Sequence, residues 1–289
     1  MKDFPIPVRS AQDILGPGSQ AGGGDGFSYL AFPRDVPTFS MPQVPEDADA
    51  ASMAAARELL ARFVDEMDGG SPRYELSSLA APTLRVLNET LGEGEVCVRI
   101  AGDGNGLREI RAQETVFAGV WREQHLRANG VVEQDWLHAC AVPPLAVERA
   151  QRAAGAVLTP PPLPQGAMNA PALLTEIREQ VAHFRAGQPP HVINLTLLPL
   201  TPEDHQVLEQ ALPVGPVAIM SRGFGNCRIT STLLRNLWRV QYFNSMQTLI
   251  LNTIEVVGVP EVALAAADDL ADSRERMREL VDWMGGGAA

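Results

Sequence analysis

The chain has 289 residues, 45% hydrophobic and 20% charged, which suits a soluble globular protein with one large core or two ordinary ones. A formal net charge of −12 argues against a nucleic-acid binder, which would carry a basic face, and no apolar run reaches the length of about 18 residues that a membrane span needs. Cys97, Cys140 and Cys227 are odd in number and far apart, which excludes a disulfide framework or an ordinary zinc finger and predicts a reducing, cytoplasmic setting.

Residues 1–48 carry seven prolines and the glycine run 22–24, so they read as a flexible arm, with apolar clusters at Phe4–Val8 and Phe27–Phe32 as possible docking segments. The opening MKDFPIPVRSAQDILGPGS has neither the basic start nor the apolar stretch of a signal peptide. Helical spacing returns from Asp47 to Met67 and stops at Gly69-Gly70. A short strand at 73–79 and a helix at 82–90 follow. Val96, Val98 and Ile100 alternate as in a strand, and Asp103-Gly104-Asn105-Gly106 predicts a hairpin turn. Strands near 107–113, 116–126 and 131–141 make a meander, closed by a helix at 144–154. Residues 157–170, with three consecutive prolines, read as a stiff linker. The same plan then recurs. It runs through a helix at 171–186, a strand at 191–198, a helix at 202–212, strands near 215–221, 227–233, 235–244 and 247–257, and a helical region to 284, before a flexible tail at 285–289.

The recurrence is written in the residues. At an offset of 121, Phe63 meets Phe184, Val86-Leu87 meets Val207-Leu208, and Gly94 meets Gly215. After a four-residue slip the offset is 117, and it pairs Arg111 with Arg228, Thr115 with Thr232, Trp121-Arg122 with Trp238-Arg239, and Val142-Pro143 with Val259-Pro260. Two repeats are too few for a solenoid, which needs about three or more. The expected fold class is α+β: two tandem pseudo-symmetric repeats, at 49–156 and 171–284, each a mostly antiparallel sheet covered by helices.

Catalytic chemistry is not visible. The five histidines form no ligand pattern, no nucleophile elbow or phosphate loop occurs, and no cofactor is expected. Gly102-Asp103-Gly104-Asn105-Gly106 is followed by a strand rather than a helix, so it lacks the helix N-terminus a nucleotide phosphate requires. One stretch stands apart: from Gln210 to Ile254 there is no Asp, Glu or Lys, while Arg222, Arg228, Arg235 and Arg239 remain. The counterpart in the first repeat interleaves its arginines with glutamates. The stretch reads either as a polar sheet or as a surface that receives an acidic or hydrogen-bonding partner segment. On the second reading the partner-binding candidates are Arg222, Gly223, Gly225, Asn226, Cys227 and Arg228 around the turn, then Arg235, Trp238, Arg239, Tyr242 and Asn244. On a strand, Arg235 and Arg239 would share one face and Trp238 and Tyr242 the other.

Residues 215–270 contain Gly223-Phe-Gly225-Asn-Cys-Arg-Ile229, Asn236-Leu-Trp-Arg-Val-Gln-Tyr-Phe-Asn244 and Ile254-Glu-Val-Val-Gly-Val-Pro-Glu-Val262. Together these resemble the C-terminal domain of hydrogenase expression/formation proteins of the HupH/HyaF type, and FPIPV and LGPGSQ resemble that family's opening. The resemblance implies a non-enzymatic, cytoplasmic accessory protein in [NiFe]-hydrogenase maturation. Its implied client is the hydrogenase small-subunit precursor around iron–sulfur cluster assembly, with other maturation proteins as further partners. The alternative is an iron–sulfur carrier or scaffold in which Cys227 is one ligand and a partner or dimer supplies the rest. The first repeat lacks the Gly-Asn-Cys-Arg-Ile core, so a shared site belongs to the second.

Overall fold

Asp49 starts the first helix by accepting from the Ser52 backbone N–H at 2.8 Å, satisfying a donor that the helix itself leaves open. The computed structural model describes residues 45, 47–102, 104, 106–155, 157–222 and 226–286; the apolar clusters at Phe4–Val8 and Phe27–Phe32 lie outside them. In chain order the elements are α1 (Ala50–Glu66), β1 (Arg73–Glu75), α2 (Ala81–Leu91), β2 (Val96–Ala101), β3 (Leu107–Glu114), β4 (Val120–Arg127), β5 (Val132–Ala139) and α3 (Pro144–Ala153). Then come α4 (Ala170–Ala182), β6 (His191–Asn194), α5 (Pro202–Ala211), β7 (Val214–Ser221), β8 (Asn226–Thr232), β9 (Leu237–Phe243), β10 (Leu249–Val256) and α6 (Ala267–Met284). Short 3₁₀ turns occupy Leu195–Leu197 and Glu261–Ala263.

Local chemistry accounts for the departures from expectation. The strand expected at 116–126 begins at Val120, because Thr115 Oγ1 binds the Phe117 backbone in a tight turn that Val120 closes by donating to Phe117 O. Thr232 makes the same turn with Leu234, closed by Leu237. The strand expected at 191–198 ends at Asn194, whose side chain accepts from Thr196 N and turns the chain into a 3₁₀ helix. Arg235 lies in the turn before β9 rather than on the strand, so it shares no strand face with Arg239.

The strands form one ten-stranded sheet of order β1-β5-β4-β3-β2-β7-β8-β9-β10-β6, with every neighbouring pair antiparallel. Two separate sheets were expected. They are continuous because β2 pairs with β7 from Val96/Ser221 to Ile100/Val217, so neither strand is left as an open edge.

Helices cover part of each face. On one face, α1, α2 and α6 pack over Phe117, Val120, Leu137 and Ala139, while α4 and α5 pack over Ile193, Leu237, Ile254 and Val256. On the other, α3 and the turn at Glu261–Ala263 cover Val98, Ile100, Val217, Ile219, Trp121 and Trp238. The last helix crosses over. Although α6 follows β10, Met277 and Val281 complete the cluster around Phe63, and Arg57 Nε donates to Val281 O at 3.0 Å. Conversely α3, which follows β5, lies against β7, and Gln151 Nε2 donates to Asn236 Oδ1 at 2.6 Å. Burial of apolar surface therefore ties the halves together from both sides.

Candidate functional site

Side chains alternate along a strand, so register assigns each residue to a face. Between the two helical clusters the middle of the first face carries two parallel rows. The first runs Asp135, Gln124, Arg111, Arg99 and then, across the central β2–β7 pair, Ala218, Thr230, Arg239. The second runs Arg122, Gln113, Cys97 and then, across the same pair, Met220, Arg228, Gln241, Asn252. Read from opposite ends the rows correspond, Asp135 to Asn252, Gln124 to Gln241, Arg111 to Arg228 and Arg122 to Arg239. The rows differ at Gln113, which corresponds to Thr230, and at the centre, where Arg99 faces Ala218 and Cys97 faces Met220.

A cavity of about 450 Å³ opens on this face beside α2, lined by Cys97, Arg99, Arg111, Gln113, Arg122 and Gln124 from the sheet and by Asn88, Gly92 and Glu93 from the helix end. Burial alone would raise the Glu109 carboxyl, but Arg99 and Arg111, both paired with it, hold it below the usual carboxylate range. Asp135 likewise accepts from Arg122, and from Gln124 Nε2 at 3.1 Å. Burial raises the Cys97 thiol, although the charges of Arg222 and Arg99 pull the other way.

The sequence-derived candidates divide. Arg228 and Arg239 lie on this face, Arg228 over the Phe243 ring at 5.4 Å and Arg239 Nε donating to Asn252 Oδ1 at 3.1 Å. Arg222 follows β7 at the same end, its backbone N–H donating to Glu95 O. Asn226 opens β8, and Asn244 closes the β9–β10 hairpin by accepting from Met246 and Thr248 N–H groups at 2.9 Å. Cys227, Trp238 and Tyr242 point to the opposite face. Trp238 is 2% and Cys227 1% exposed, so both are scaffold rather than contact surface. Burial pushes the Cys227 thiol up to about 11 and Tyr242, hydrogen-bonded to it, up to about 12. Arg235 is exposed at the far end of β8, its N–H donating to Gly155 O. Gly223 and Gly225 lie outside the described residues.

Arg99, Arg111 and Arg122 escaped the sequence reading because glutamates interleave with them. Alternation sorts these charges in part: Glu114 and Glu123 fall on the opposite face, while Glu109 shares the arginines' face and pairs with Arg99 and Arg111. Period-two counting along β3 and β4 was the available signal.

On the opposite face Glu114 borders a second cavity of about 300 Å³ beside residues 262–265. Burial pushes its carboxyl up to about 7, with Asp269 and Glu95 adding to the rise and the Gly119 N–H, donating at 2.8 Å, opposing it. A raised carboxyl contributes stability that is complete below the unfolded value near 4.5 and is lost as pH climbs through about 7. Glu114→Gln keeps an acceptor for Gly119 and removes the titration. Its Tm is expected to match the parent at pH 4.5 and exceed it by several degrees at pH 8; identical pH profiles would contradict this assignment.

Among the described residues no helix is long and apolar enough to cross a membrane, and no group of three His, Cys, Asp or Glu side chains is placed to hold a metal ion. The fold and this face define an α+β protein with one continuous antiparallel sheet whose distinctive surface is an arginine-lined strip. The profile of the HupH hydrogenase expression protein, C-terminal conserved region, matches residues 74–157 and 167–284. The hydrogenase expression/formation protein HoxQ of Cupriavidus necator is 40% identical over 291 residues, covering 99% of both chains. HupH of Rhodobacter capsulatus is 41% identical over 273 residues, covering 93% of this chain and 95% of that one. The hydrogenase-1 operon protein HyaF of Escherichia coli is 32% identical over 281 residues, covering 94% and 95%. A solved structure of the hydrogenase expression protein HupH from Thiobacillus denitrificans aligns at 30% identity with a TM-score of 0.36, covering 38% of this chain and 92% of that one. The chain belongs to the HupH family of hydrogenase expression/formation proteins.

Proposed function

We propose that this protein is a non-enzymatic accessory factor of [NiFe]-hydrogenase maturation that holds the small-subunit precursor in the cytoplasm around iron–sulfur cluster assembly. The names of its relatives support the maturation role. The observation that carries the docking role is the arginine-lined face. In a chain of net charge −12, Arg99, Arg111, Arg122, Arg228 and Arg239 share one face of the sheet, with Arg222 just past the end of β7, and they outnumber the Glu109 and Asp135 carboxylates paired there, an excess that favours and orients an acidic or carbonyl-rich partner. Burial holds the Cys227 and Cys140 thiols protonated, Cys140 up to about 12, which supports a role without a thiolate nucleophile or ligand.

The same reading treats the chain as two descendants of one duplicated unit, 49–156 and 171–284, joined by 157–170. Three features support it: equal pairings around the tryptophans (Trp121 with Glu114 and His138, Trp238 with Ser231 and Glu255), the matching Thr115 and Thr232 turns, and the two matches to one family profile.

Precursor capture tests the docking role. Arg222→Glu is expected to weaken capture at least about tenfold at low salt, and added salt should weaken the parent in the same direction. Arg235→Glu, at the opposite end of β8, is expected to capture like the parent. If folded Arg222→Glu and the parent capture equally across salt concentrations, the client does not dock on this face.

A further inference from the structure

The second cavity holds a carboxyl that the fold itself does not require. Glu114 and Ser231 occupy matching positions, Glu114 opposite Trp121 across β3–β4 and Ser231 opposite Trp238 across β8–β9. Ser231 is satisfied inside its own sheet, its Oγ accepting from Val217 N at 3.1 Å and donating to Val217 O at 3.3 Å. Glu114 is only 8% exposed, and among the described residues its carboxyl makes one hydrogen bond, Oε1 accepting from Gly119 N at 2.8 Å. The other oxygen, Oε2, is left open to the cavity that Glu114 lines.

Nothing in the described wall balances that charge. No Arg, Lys or His lines the cavity, and the charges that reach Glu114 are those of Asp269 and Glu95, which are themselves carboxylates of the wall. At the place of Glu95 the second half has Pro216. A carboxylate withdrawn from water without a cation is unfavourable, which is why burial pushes this one up to about 7. Val96, Val116, Val262 and Leu264 give the cavity an apolar lining around its acidic groups.

We propose that this cavity binds a cationic group on an apolar stem, an ammonium or guanidinium such as a basic side chain of a partner protein or a free alkylamine carries, with Glu114 as its counter-ion. The sign of the ligand follows from three carboxylates without a cation, and the stem follows from the apolar lining. A metal ion does not fit, since no three His, Cys, Asp or Glu side chains among the described residues are placed to hold one. The cavity lies on the face opposite the arginine strip, so the site does not depend on the docking reading above. Binding is coupled to a proton. The ionised carboxyl holds the cation, so affinity is full above about pH 7 and falls as Glu114 takes up a proton below it.

The test uses the full chain with pentylamine, pentanol and an end-blocked Gly-Gly-Lys-Gly-Gly peptide, titrated by calorimetry at constant ionic strength. The parent is expected to bind pentylamine at pH 8, to bind it at least about tenfold more weakly at pH 5.5, and to ignore pentanol. Exposed carboxylates stay ionised at both values, so they do not imitate this dependence. E114Q keeps the acceptor for Gly119. It is expected to fold, as thermal unfolding will show, and to bind the amine at pH 8 at least about tenfold more weakly than the parent. The pH comparison on the parent needs no variant and serves if E114Q does not fold. Tighter binding of the peptide than of pentylamine supports the site and assigns its ligand to a protein side chain; the reverse order supports it and assigns a small amine. Equal affinity of the parent at the two pH values, pentanol binding as tight as pentylamine, or undiminished amine binding by folded E114Q overturns the proposal. Failure of the parent to bind either cation at pH 8 also overturns it.

Discussion

Gly94→Ala is expected to cost about 3 kcal/mol or more, and Gly215→Ala a somewhat smaller amount. Gly94 does not have a left-handed φ, so the reason is space rather than backbone strain. A Cβ on Gly94 would stand 2.2 Å from Thr115 O and 3.1 Å from Glu114 O, both backbone atoms held by the β3–β4 ladder. Gly94 N–H donates to Glu114 O at 2.7 Å, so the two chain segments cannot separate without losing that bond. At Gly215 the added atom would meet Ser231 Oγ at 2.5 Å and Thr232 O at 2.8 Å; the serine side chain can move and the carbonyl cannot. Gly69, with nothing within 4 Å of the added atom, is the control. For a chain of this size the Gly94 variant's Tm is expected to fall by about 6–12 °C. A fall as small as that of Gly69→Ala would show that β2 does not need the close approach.

Trp238→Ala is expected to destabilise by about 3–5 kcal/mol, the usual cost of emptying a buried aromatic site. Trp238 is 2% exposed within the cluster that spans the β2–β7 seam, and its Nε1–H donates to Gly258 O at 3.0 Å. Trp121, on the first half's corresponding strand, donates to Cys140 O at 2.9 Å. Trp238→Phe retains most of the apolar volume but forfeits the hydrogen bond and leaves Gly258 O without that donor. Its expected cost is smaller, about 1–2 kcal/mol. Urea unfolding of the three proteins measures the difference. If alanine and phenylalanine cost the same small amount, the ring does not fill a tightly packed core and the seam is held by the strand ladder alone.

Most element positions were legible because their causes are local. Gly104 and Gly106 adopt positive φ between β2 and β3, as the turn chemistry of residues 103–106 predicts, with Asp103 and Asn105 outside the described residues. Where expectation and structure part, as at residues 116–119 and 195–198, a Thr or Asn side chain turns the backbone early. Such bonds are made within two residues, but hydrophobic spacing does not reveal them. The candidate site was half legible. The acid-free stretch pointed to Arg228 and Arg239, while Arg99, Arg111 and Arg122 stayed hidden because neighbours in sequence were weighed together although alternate residues face apart.

By itself the sequence determined the offset that matches Trp121 with Trp238 and Arg111 with Arg228, the order of helices and strands, and the family. These are properties of residue type and spacing along the chain. Only the tertiary structure decided that β2 and β7 join to make one sheet, that α6 returns to the first half's core, and that arginines from both halves meet on one strip. Each depends on which apolar faces and unpaired strand edges meet across more than a hundred residues, and that choice is made by burial and backbone pairing rather than by local preference.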